Sequence, residues 1–151
     1  MQDSERPSAL HEYPVVLALP IQWGELDAYG HVNNVVFLKW FESARAVYGS
    51  RVGVDMTPQS SGYGAIVASV SCKYLRPLSF PGNVIVGVRV TRMSIGSVTL
   101  GFRIVDARTG VPAAEGDCDA VLYDHSNQRP CPIPDFIREA VEELEGKPLI
   151  E

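Results

Sequence analysis

The residues most able to do chemistry lie together between Gln22 and Asn34, in the segment QWGELDAYGHVNN. The segment holds two carboxylates, Glu25 and Asp27, and His31 follows the second of them by four residues. A carboxylate can attack a carbonyl carbon or remove a proton from water, and an imidazole exchanges protons near neutral pH. The segment is therefore a candidate site for nucleophilic or acid–base chemistry.

Each of these side chains also has a structural interpretation. Asp27 is of a residue type that is common in turns and helix caps. Glu25 is by default a structural carboxylate, and it can also alter the charge state of Asp27 through like-charge repulsion. His31 is a candidate for acid–base catalysis, and the alternative is that its side chain hydrogen-bonds the loop or caps a helix.

A long amphipathic helix is predicted directly after this segment. Apolar residues recur from Asn34 to about Ser50 at spacings of three, four and one, which is the pattern of an α-helix with one apolar face. Asn33 or Asn34 can cap its first amides, and Gly49 or Gly53 can end it. The polar segment therefore stands at the start of a helix whose apolar face is buried.

Strands are predicted for most of the remaining chain. The apolar run Val15–Trp23 has Pro20 near its end, which favours a place toward a sheet edge. Between Ala65 and Tyr123, apolar residues alternate in four runs that are separated by turns rich in Gly, Pro and Asn. The order is one strand, one long helix and a meander of four strands, which predicts an α+β fold.

The chain is predicted to form a single domain over residues 1–151, since it shows no internal repeat. We expect residues 1–12 to be flexible and residues 133–151 to form a short helix and tail with a solvated acidic face. Several strands carry apolar residues on both faces, so the sheet face away from the helix would need cover from a second subunit. We therefore predict a homodimer or homotetramer.

Composition and charge exclude several partners. The 13 Lys and Arg against 18 Asp and Glu give a net charge of -5, which disfavours nucleic acid and anionic membrane as partners. The sequence has no apolar run long enough to span a membrane and no signal-peptide core near its start. Its three cysteines are far apart, without metal-ligand spacing. We expect a cytoplasmic protein with reduced thiols, no metal and no nucleotide-binding loop.

The stretch WGELDAYGHVNNVVFLKWFESAR resembles the acyl-CoA thioesterases of the hotdog fold, specifically the 4-hydroxybenzoyl-CoA thioesterase family. The shared pattern is an aromatic residue, an acidic segment ending in Asp27, GHVNN, an apolar helix and FESAR. Two departures are Glu25, where the family often has an aspartate, and Phe37, where it often has a tyrosine. The resemblance implies an antiparallel sheet of five to six strands wrapped around one long central helix.

The resemblance also implies an activity, the hydrolysis of the thioester of an acyl-coenzyme A, in which coenzyme A is part of the substrate and no cofactor is needed. Asp27 matches the family's catalytic aspartate and acts as nucleophile or as general base. The backbone amide of Asn34, at the helix N-terminus, polarises the thioester carbonyl. Gly30 allows the backbone to approach the substrate, and Asn33 and Asn34 hold the loop in shape.

Three cations are candidate contacts for the phosphates of coenzyme A. Lys73 and Arg76 flank Tyr74 in CKYLRP, and Arg92 is placed at the turn after the third strand. Related enzymes keep basic residues near the nucleotide, and charge-assisted hydrogen bonds suit phosphate recognition. The alternative for each cation is a solvated position at a strand edge.

Other functions on the same fold are possible in principle. A non-catalytic acyl-CoA binding or sensing module would keep the fold and lose the chemistry, and the retention of Asp27 in a complete motif argues against it. Some hotdog thioesterases use a helix carboxylate instead, for which Glu42 is the candidate. The structural alternative for Glu42 is exposure to solvent or an ion pair with Lys39 or Arg45.

Overall fold

The computed structural model describes residues 6–54 and 62–149. Two single-turn 3-10 helices, Ser8–Leu10 and Trp23–Glu25, accompany the main elements. In chain order the main elements are β1 (Val15–Pro20), α1 (Asn34–Val52), β2 (Tyr63–Tyr74), β3 (Asn83–Met93), β4 (Ser97–Asp106), β5 (Pro112–Asp124), β6 (Arg129–Pro130) and α2 (Asp135–Glu145).

The strands form one antiparallel sheet in the order β1-β3-β4-β5-β2, and β6 pairs with β5. The predicted α+β architecture, with strands following one long helix, is confirmed. The predicted meander of four strands is wrong in one respect: β3, β4 and β5 are consecutive neighbours, whereas β2 pairs with β5 and the chain from β2 to β3 crosses to the other side of the sheet. Because β1 and β2 lie at the two edges, one side of the β2 backbone has no strand partner among the described residues.

Helix α1 supplies the apolar ridge on which the sheet packs. The Asn33 side chain accepts a hydrogen bond from the Val35 amide at 3.0 Å and caps the helix start, and Gly53 ends it with a left-handed φ of 88°. Phe41 is fully buried and stacks on Phe102 of β4, with ring centroids 4.3 Å apart. Burial of such a side chain contributes about 1.5–3 kcal/mol, so this face anchors α1 and the loop before it.

Residues 6–14, directly before β1, are folded against the sheet, whereas flexibility was expected for residues 1–12. Residues 1–5 of that range lie outside the described residues. Leu10 and Tyr13 are buried against Ile85 and Val105, on the sheet face opposite α1. Gly87 makes this possible, since a Cβ at Gly87 would lie 2.8 Å from both Leu10 and Tyr13. The chain itself therefore covers part of the face for which we expected cover from a second subunit.

Exposed apolar side chains gather instead along the edge strand β2. A bulge between Val67 and Ser69 shifts the register with β5, so the predicted alternation does not run through the whole strand. Ile66 and Val70 are largely exposed, and so is Tyr74 at the strand end. These side chains form an exposed apolar strip along the sheet edge, while Trp23 and Ile95 are exposed elsewhere.

Helix α2 packs on the core at the far end of α1. Ile137 and Val141 are buried, as an amphipathic helix predicts. The acidic side is not wholly solvated, because a Glu145 carboxylate oxygen accepts hydrogen bonds from the Tyr48 hydroxyl at 2.6 Å and the Val90 amide at 3.0 Å. Burial is the main cause that raises the pKa of Tyr48 far above its usual range, and the Glu145 carboxylate raises it further. The phenol therefore keeps its proton and remains a donor.

Among the described helices, none is long and apolar enough to cross a membrane.

Candidate active site

The polar segment forms a short loop that folds back on itself before α1. The first strand ends at Pro20 rather than at the predicted Trp23, because Trp23–Glu25 forms a 3-10 turn. Leu26 and Val32 then pair as an isolated antiparallel bridge. This pairing brings the residues between them into one compact turn next to the helix start.

Backbone hydrogen bonds hold that turn closed around Asp27. The Asp27 amide donates to the His31 carbonyl at 2.7 Å, and the Gly30 amide donates to the Asp27 carbonyl at 3.0 Å. Gly30 has a φ of 79°, a left-handed conformation that glycine adopts without strain. The loop therefore needs Gly30 for its turn geometry, while the closeness to substrate that we expected of Gly30 stays a prediction.

The two oxygens of the Asp27 carboxylate are in different situations. Oδ1 accepts hydrogen bonds from the Tyr29 amide at 2.8 Å and the His31 amide at 3.3 Å. No hydrogen bond from the described residues reaches Oδ2, and the side chain is exposed in the single chain. One oxygen thus fixes the orientation of the carboxylate, and the other is available to a reactant.

His31 binds Asp27 through its backbone and not through its imidazole. Within residues 6–54 and 62–149 the imidazole makes no hydrogen bond, and the cap of α1 comes from Asn33, so the structural role proposed for the His31 side chain is wrong. His31 and Asp27 border the same cleft. An acid–base role for His31 stays a prediction.

The Asn34 amide is a free donor at the start of α1. Asn34 is the first helical residue, and the Asn33 cap takes the Val35 amide instead. No acceptor for the Asn34 amide is found in the part of the chain that the structure describes, as expected for the first amides of a helix. The positive end of the helix dipole adds to its attraction for a developing negative charge.

A cleft of about 250 Å³ joins these groups to the end of β2. Of the predicted site residues, it brings together Asp27, His31, Asn34 and Arg76. Its remaining walls, mostly apolar or aromatic, come from Val32, Phe37, Tyr74, Leu75 and Pro77.

Glu25 links this loop to helix α1 through a hydrogen bond to the loop and an ion pair with the helix. Its side chain is only 9% exposed, and Oε1 accepts the Gln22 amide at 2.7 Å while Oε2 pairs with Lys39 Nζ at 2.6 Å. The Glu25 carbonyl also accepts the Asn33 amide at 2.9 Å. Glu25 is therefore a structural carboxylate, one of the two roles expected of it.

Glu42 lies on the outer side of α1 and is not among the residues of the cleft. It forms a two-oxygen ion pair with Arg45, with the closer nitrogen–oxygen distance at 2.8 Å. The predicted pairing with Arg45 is confirmed, whereas Lys39 pairs with Glu25.

The other two predicted cations lie away from the cleft within one chain. Lys73 borders a groove of mixed charge with Arg89, Arg103 and Glu115. Arg92 lies inside β3 rather than in the turn after it, paired in register with Thr99.

The register gives the distance of Arg92 from the cleft. Tyr74 is level with Ala114, Ile104 and Val86 across the sheet. Arg92 is therefore about 20 Å farther along β3, at roughly 3.3 Å per residue. A phosphate contact by Lys73 or Arg92 stays a prediction.

Sequence reasoning did not single out Tyr74 or Leu75 as site residues. The Tyr74 hydroxyl donates to the Asn34 carbonyl at 3.0 Å, and its ring lies edge-on to Phe37 with centroids 5.2 Å apart. The position of Tyr74 between two predicted phosphate contacts in CKYLRP was the signal that could have drawn attention to it.

Comparisons with known proteins agree with this architecture. A family model described as the thioesterase-like superfamily matches residues 21–141. A thioesterase from Thermus thermophilus, solved with coenzyme A and zinc, is 33% identical with a TM-score of 0.79, and the match covers 91% of this chain and 98% of that one. A thioesterase-superfamily protein from Jannaschia is 28% identical with a TM-score of 0.80, over 89% and 85% of the two chains.

A plant protein gives a more distant match. The acyl-acyl carrier protein thioesterase ATL2 of Arabidopsis thaliana, a chloroplastic protein, is 25% identical over 123 residues, which are 81% of this chain. The match spans 65% of the length of that relative. Together with the structural matches, these similarities confirm the hotdog fold that the resemblance implied.

Proposed function

Because this chain belongs to the thioesterase-like superfamily, we propose that it hydrolyses the thioester of an acyl-coenzyme A to a free acid and coenzyme A. The observation that carries the proposal is the pairing of two groups in one cleft. The Asp27 carboxylate has an oxygen free of hydrogen bonds from the described residues, and the Asn34 amide has no acceptor among them. Hydrolysis of a thioester requires both an attacking or proton-accepting group and a donor for the oxyanion.

In this mechanism the thioester carbonyl oxygen accepts a hydrogen bond from the Asn34 amide. As the carbonyl carbon is attacked, negative charge develops on that oxygen, and the amide and the helix dipole stabilise it. Loss of one such donor typically costs about 2.7–4 kcal/mol in the barrier. The Asn33 cap leaves the Asn34 amide free, because the cap takes the next amide of the helix instead.

Asp27 serves in one of two ways. As a nucleophile, its Oδ2 bonds to the carbonyl carbon, the carbon–sulfur bond breaks to release the thiolate, and water then hydrolyses the acyl–aspartyl anhydride. As a general base, it takes a proton from water while the oxygen of that water bonds to the carbon, and the departing thiolate takes up a proton. In both routes the amides of Tyr29 and His31 hold Oδ1, so the carboxylate keeps its orientation.

Arg76 is the cation best placed to meet an anionic part of the substrate at the cleft. Coenzyme A and the prosthetic group of an acyl carrier protein both present a phosphate and a pantetheine arm before the thioester. The plant relative is an acyl-acyl carrier protein thioesterase, so the assay must compare the two carriers. The net charge of -5 favours coenzyme A over an acidic carrier protein.

The test is release of free thiol from short, medium, long-chain and aromatic acyl groups, each offered on coenzyme A and on acyl carrier protein. We expect turnover of at least one acyl-CoA series, with slower turnover of the same acyl groups on carrier protein. Faster turnover on carrier protein would contradict the choice of carrier. Calorimetric binding of acyl-CoA with no thiol release from any substrate would instead support the non-catalytic binding module.

We also propose that the protein works as a homodimer built on β2. One side of the backbone of this edge strand has no partner in the part of the chain that the structure describes, and the strand carries the exposed side chains of Ile66 and Val70. A second copy that pairs there would cover both the strand edge and the apolar strip. Tyr74 at the end of the same strand borders the cleft, so the partner would lie beside the acyl group.

A further inference from the structure

The hydroxyl of Tyr74 connects the edge of the sheet to the start of the central helix. Tyr74 is the last residue of β2, and its hydroxyl donates to the carbonyl oxygen of Asn34 at 3.0 Å. The two residues are 40 positions apart in the chain. This contact therefore fixes the start of α1 relative to the far end of β2, the strand that follows the helix in the chain.

The Tyr74 ring has a second contact that limits its movement. It packs edge-on against Phe37, which is buried one turn into α1 and which also lies edge-on to Trp40. Burial is the main cause that raises the pKa of Tyr74, so the phenol keeps its proton at neutral pH and remains a donor. The packing on Phe37 and the hydrogen bond to the Asn34 carbonyl thus hold the Tyr74 side chain against the start of α1.

Asn34 is the residue whose amide faces a thioester in the proposed function. The Asn34 carbonyl oxygen has two lone pairs, and the backbone hydrogen bond within α1 uses one of them. The Tyr74 hydroxyl uses the other and so restricts rotation of Asn34 about its backbone angles. Since the strength of an oxyanion donor depends on its distance and direction, a loosened Asn34 would stabilise the transition state less.

We propose that Tyr74 is a positioning residue that holds the Asn34 amide in the direction needed for the oxyanion. The inference rests on the proposed function, and Tyr74 acts in it only through Asn34. Its hydroxyl hydrogen is already donated to the Asn34 carbonyl, so it is not the acid that protonates the leaving thiolate. The aromatic ring, in contrast, contributes to the cleft wall whether or not the hydroxyl is present.

The test compares wild type with Tyr74→Phe, which removes the hydroxyl and keeps the ring on Phe37. For the best acyl-CoA substrate we expect kcat to fall about tenfold with KM unchanged, since a hydrogen bond of ordinary strength is lost. In ¹⁵N-labelled protein, the backbone order parameter of the Asn34 amide should fall, because its N–H direction is less restricted. Tyr123→Phe is the matched control, because Tyr123 lies in β5 outside the cleft and packs on His125. Its kcat and its Asn34 order parameter should equal those of wild type.

Three results of the rate assay would overturn the assignment. They are an unchanged kcat in Tyr74→Phe, a change confined to KM, and a fall in kcat that Tyr123→Phe reproduces. Failure of the proposed function is distinguishable, since wild type itself would then release no thiol from any substrate. A thermal melt of both variants shows whether the fold is kept. An unchanged order parameter of the Asn34 amide in a folded Tyr74→Phe would also contradict the positioning role.

Discussion

At the scale of single residues, the site depends on how backbone amides distribute their hydrogen bonds. One Asp27 oxygen takes two amides of its own loop, while the Asn33 cap takes the Val35 amide and leaves that of Asn34. The loop therefore provides an oriented carboxylate and an uncommitted donor at the same time. Both depend on the closed turn that Gly30 permits with its positive φ.

The buried carboxylate of Glu25 gives the first residue-scale prediction. Glu25→Ala leaves the Gln22 amide and Lys39 without their acceptor and frees the loop, so we expect a loss of about 2–4 kcal/mol in unfolding free energy and a lower kcat. Lys39→Ala should cost only about 1 kcal/mol, because its charge is largely in solvent. Urea denaturation and thiol-release assays measure both effects.

Exposed Glu139 on α2 supplies the control for that series. Glu139→Ala should change the unfolding free energy by less than about 0.5 kcal/mol. If Glu25→Ala were as stable and as active as Glu139→Ala, the role of Glu25 in fastening the loop would be refuted.

The Cys118 thiol gives a prediction about pH. Burial raises the pKa of Cys118 to about 11 from the 9.0 of an ordinary thiol. Between pH 9 and pH 11 the Cys118 thiol is ionised in the unfolded chain but still protonated in the folded chain. Its contribution to the unfolding free energy is therefore fully present below about pH 9 and is lost as the pH rises toward 11. Urea titrations across this range should show a steeper fall for wild type than for Cys118→Val, which cannot ionise.

The less buried Cys131 is the control for this pH dependence. Cys131→Val should keep most of the wild-type slope of unfolding free energy against pH. Equal slopes in wild type and Cys118→Val would show that the Cys118 thiol does not contribute.

At the scale of elements, the sheet depends on close approach at Gly116 of β5. A Cβ at this position would lie 2.0 Å from the Ser71 carbonyl oxygen of β2 and 2.7 Å from the Phe102 ring. Backbone cannot move aside cheaply within a paired sheet, and Phe102 is itself stacked on Phe41. Gly116→Ala should therefore lower the unfolding free energy by at least about 3 kcal/mol in urea denaturation.

Gly24 is the matched control for this substitution. A Cβ there would have no atom within 4 Å, so Gly24→Ala should be close to neutral for stability. A Gly116→Ala protein as stable as Gly24→Ala would mean that β2 and β5 are not packed as closely as described.

Local periodicity predicts the elements well because it depends on residues close in the chain. The spacing of apolar residues predicts α1 and the strands β2 to β5, and Asn33 and Gly53 are the predicted caps. The spacing does not predict that β2 pairs with β5 rather than with β3. Contacts between distant segments leave no such pattern. The packing of Leu10 over Gly87 and the hydrogen bond from Tyr48 to Glu145, 97 residues away, could not be read from spacing.

The site was predictable to the extent that it lies within one segment. Asp27 and the start of α1 stand together in the sequence, and a family resemblance supplied their roles. Tyr74 meets Asn34 only through the fold, so its contact was not foreseen. Strand β3 continues to Met93 through a bulge between Val90 and Arg92. The bulge leaves no clear mark in the sequence, which is why the sequence predicts a turn at Arg92.

At the scale of the whole molecule, the exposed strip on β2 predicts self-association. Val70→Lys places a charge on the unpaired edge, so we expect the dimer to dissociate and the sedimentation coefficient to fall toward that of a monomer. Ile95→Lys is the control, since Ile95 is exposed at the turn between β3 and β4 and should leave the dimer intact. A monomeric wild type, or a Val70→Lys dimer as stable as wild type, would contradict the proposed interface.

The proposed reaction depends on the Oδ2 oxygen of the Asp27 carboxylate, which lies beside the start of α1. Asn at position 27 would keep an oxygen to accept the Tyr29 amide, and so it preserves the loop while removing the charge. Substitution of Asp27 by Ala would lose both, which makes Asp27→Asn the sharper variant. Nucleophile and general-base routes predict the same outcome for it, because each needs the carboxylate.

The most direct test is therefore the kcat of Asp27→Asn on the best acyl-CoA substrate, with acyl-CoA binding measured in parallel by calorimetry. We predict a fall of about 10²- to 10⁴-fold in kcat, while the dissociation constant for acyl-CoA stays within a few-fold of wild type. An Asp27→Asn protein that hydrolyses acyl-CoA as fast as wild type would contradict the assignment of the reaction to this carboxylate.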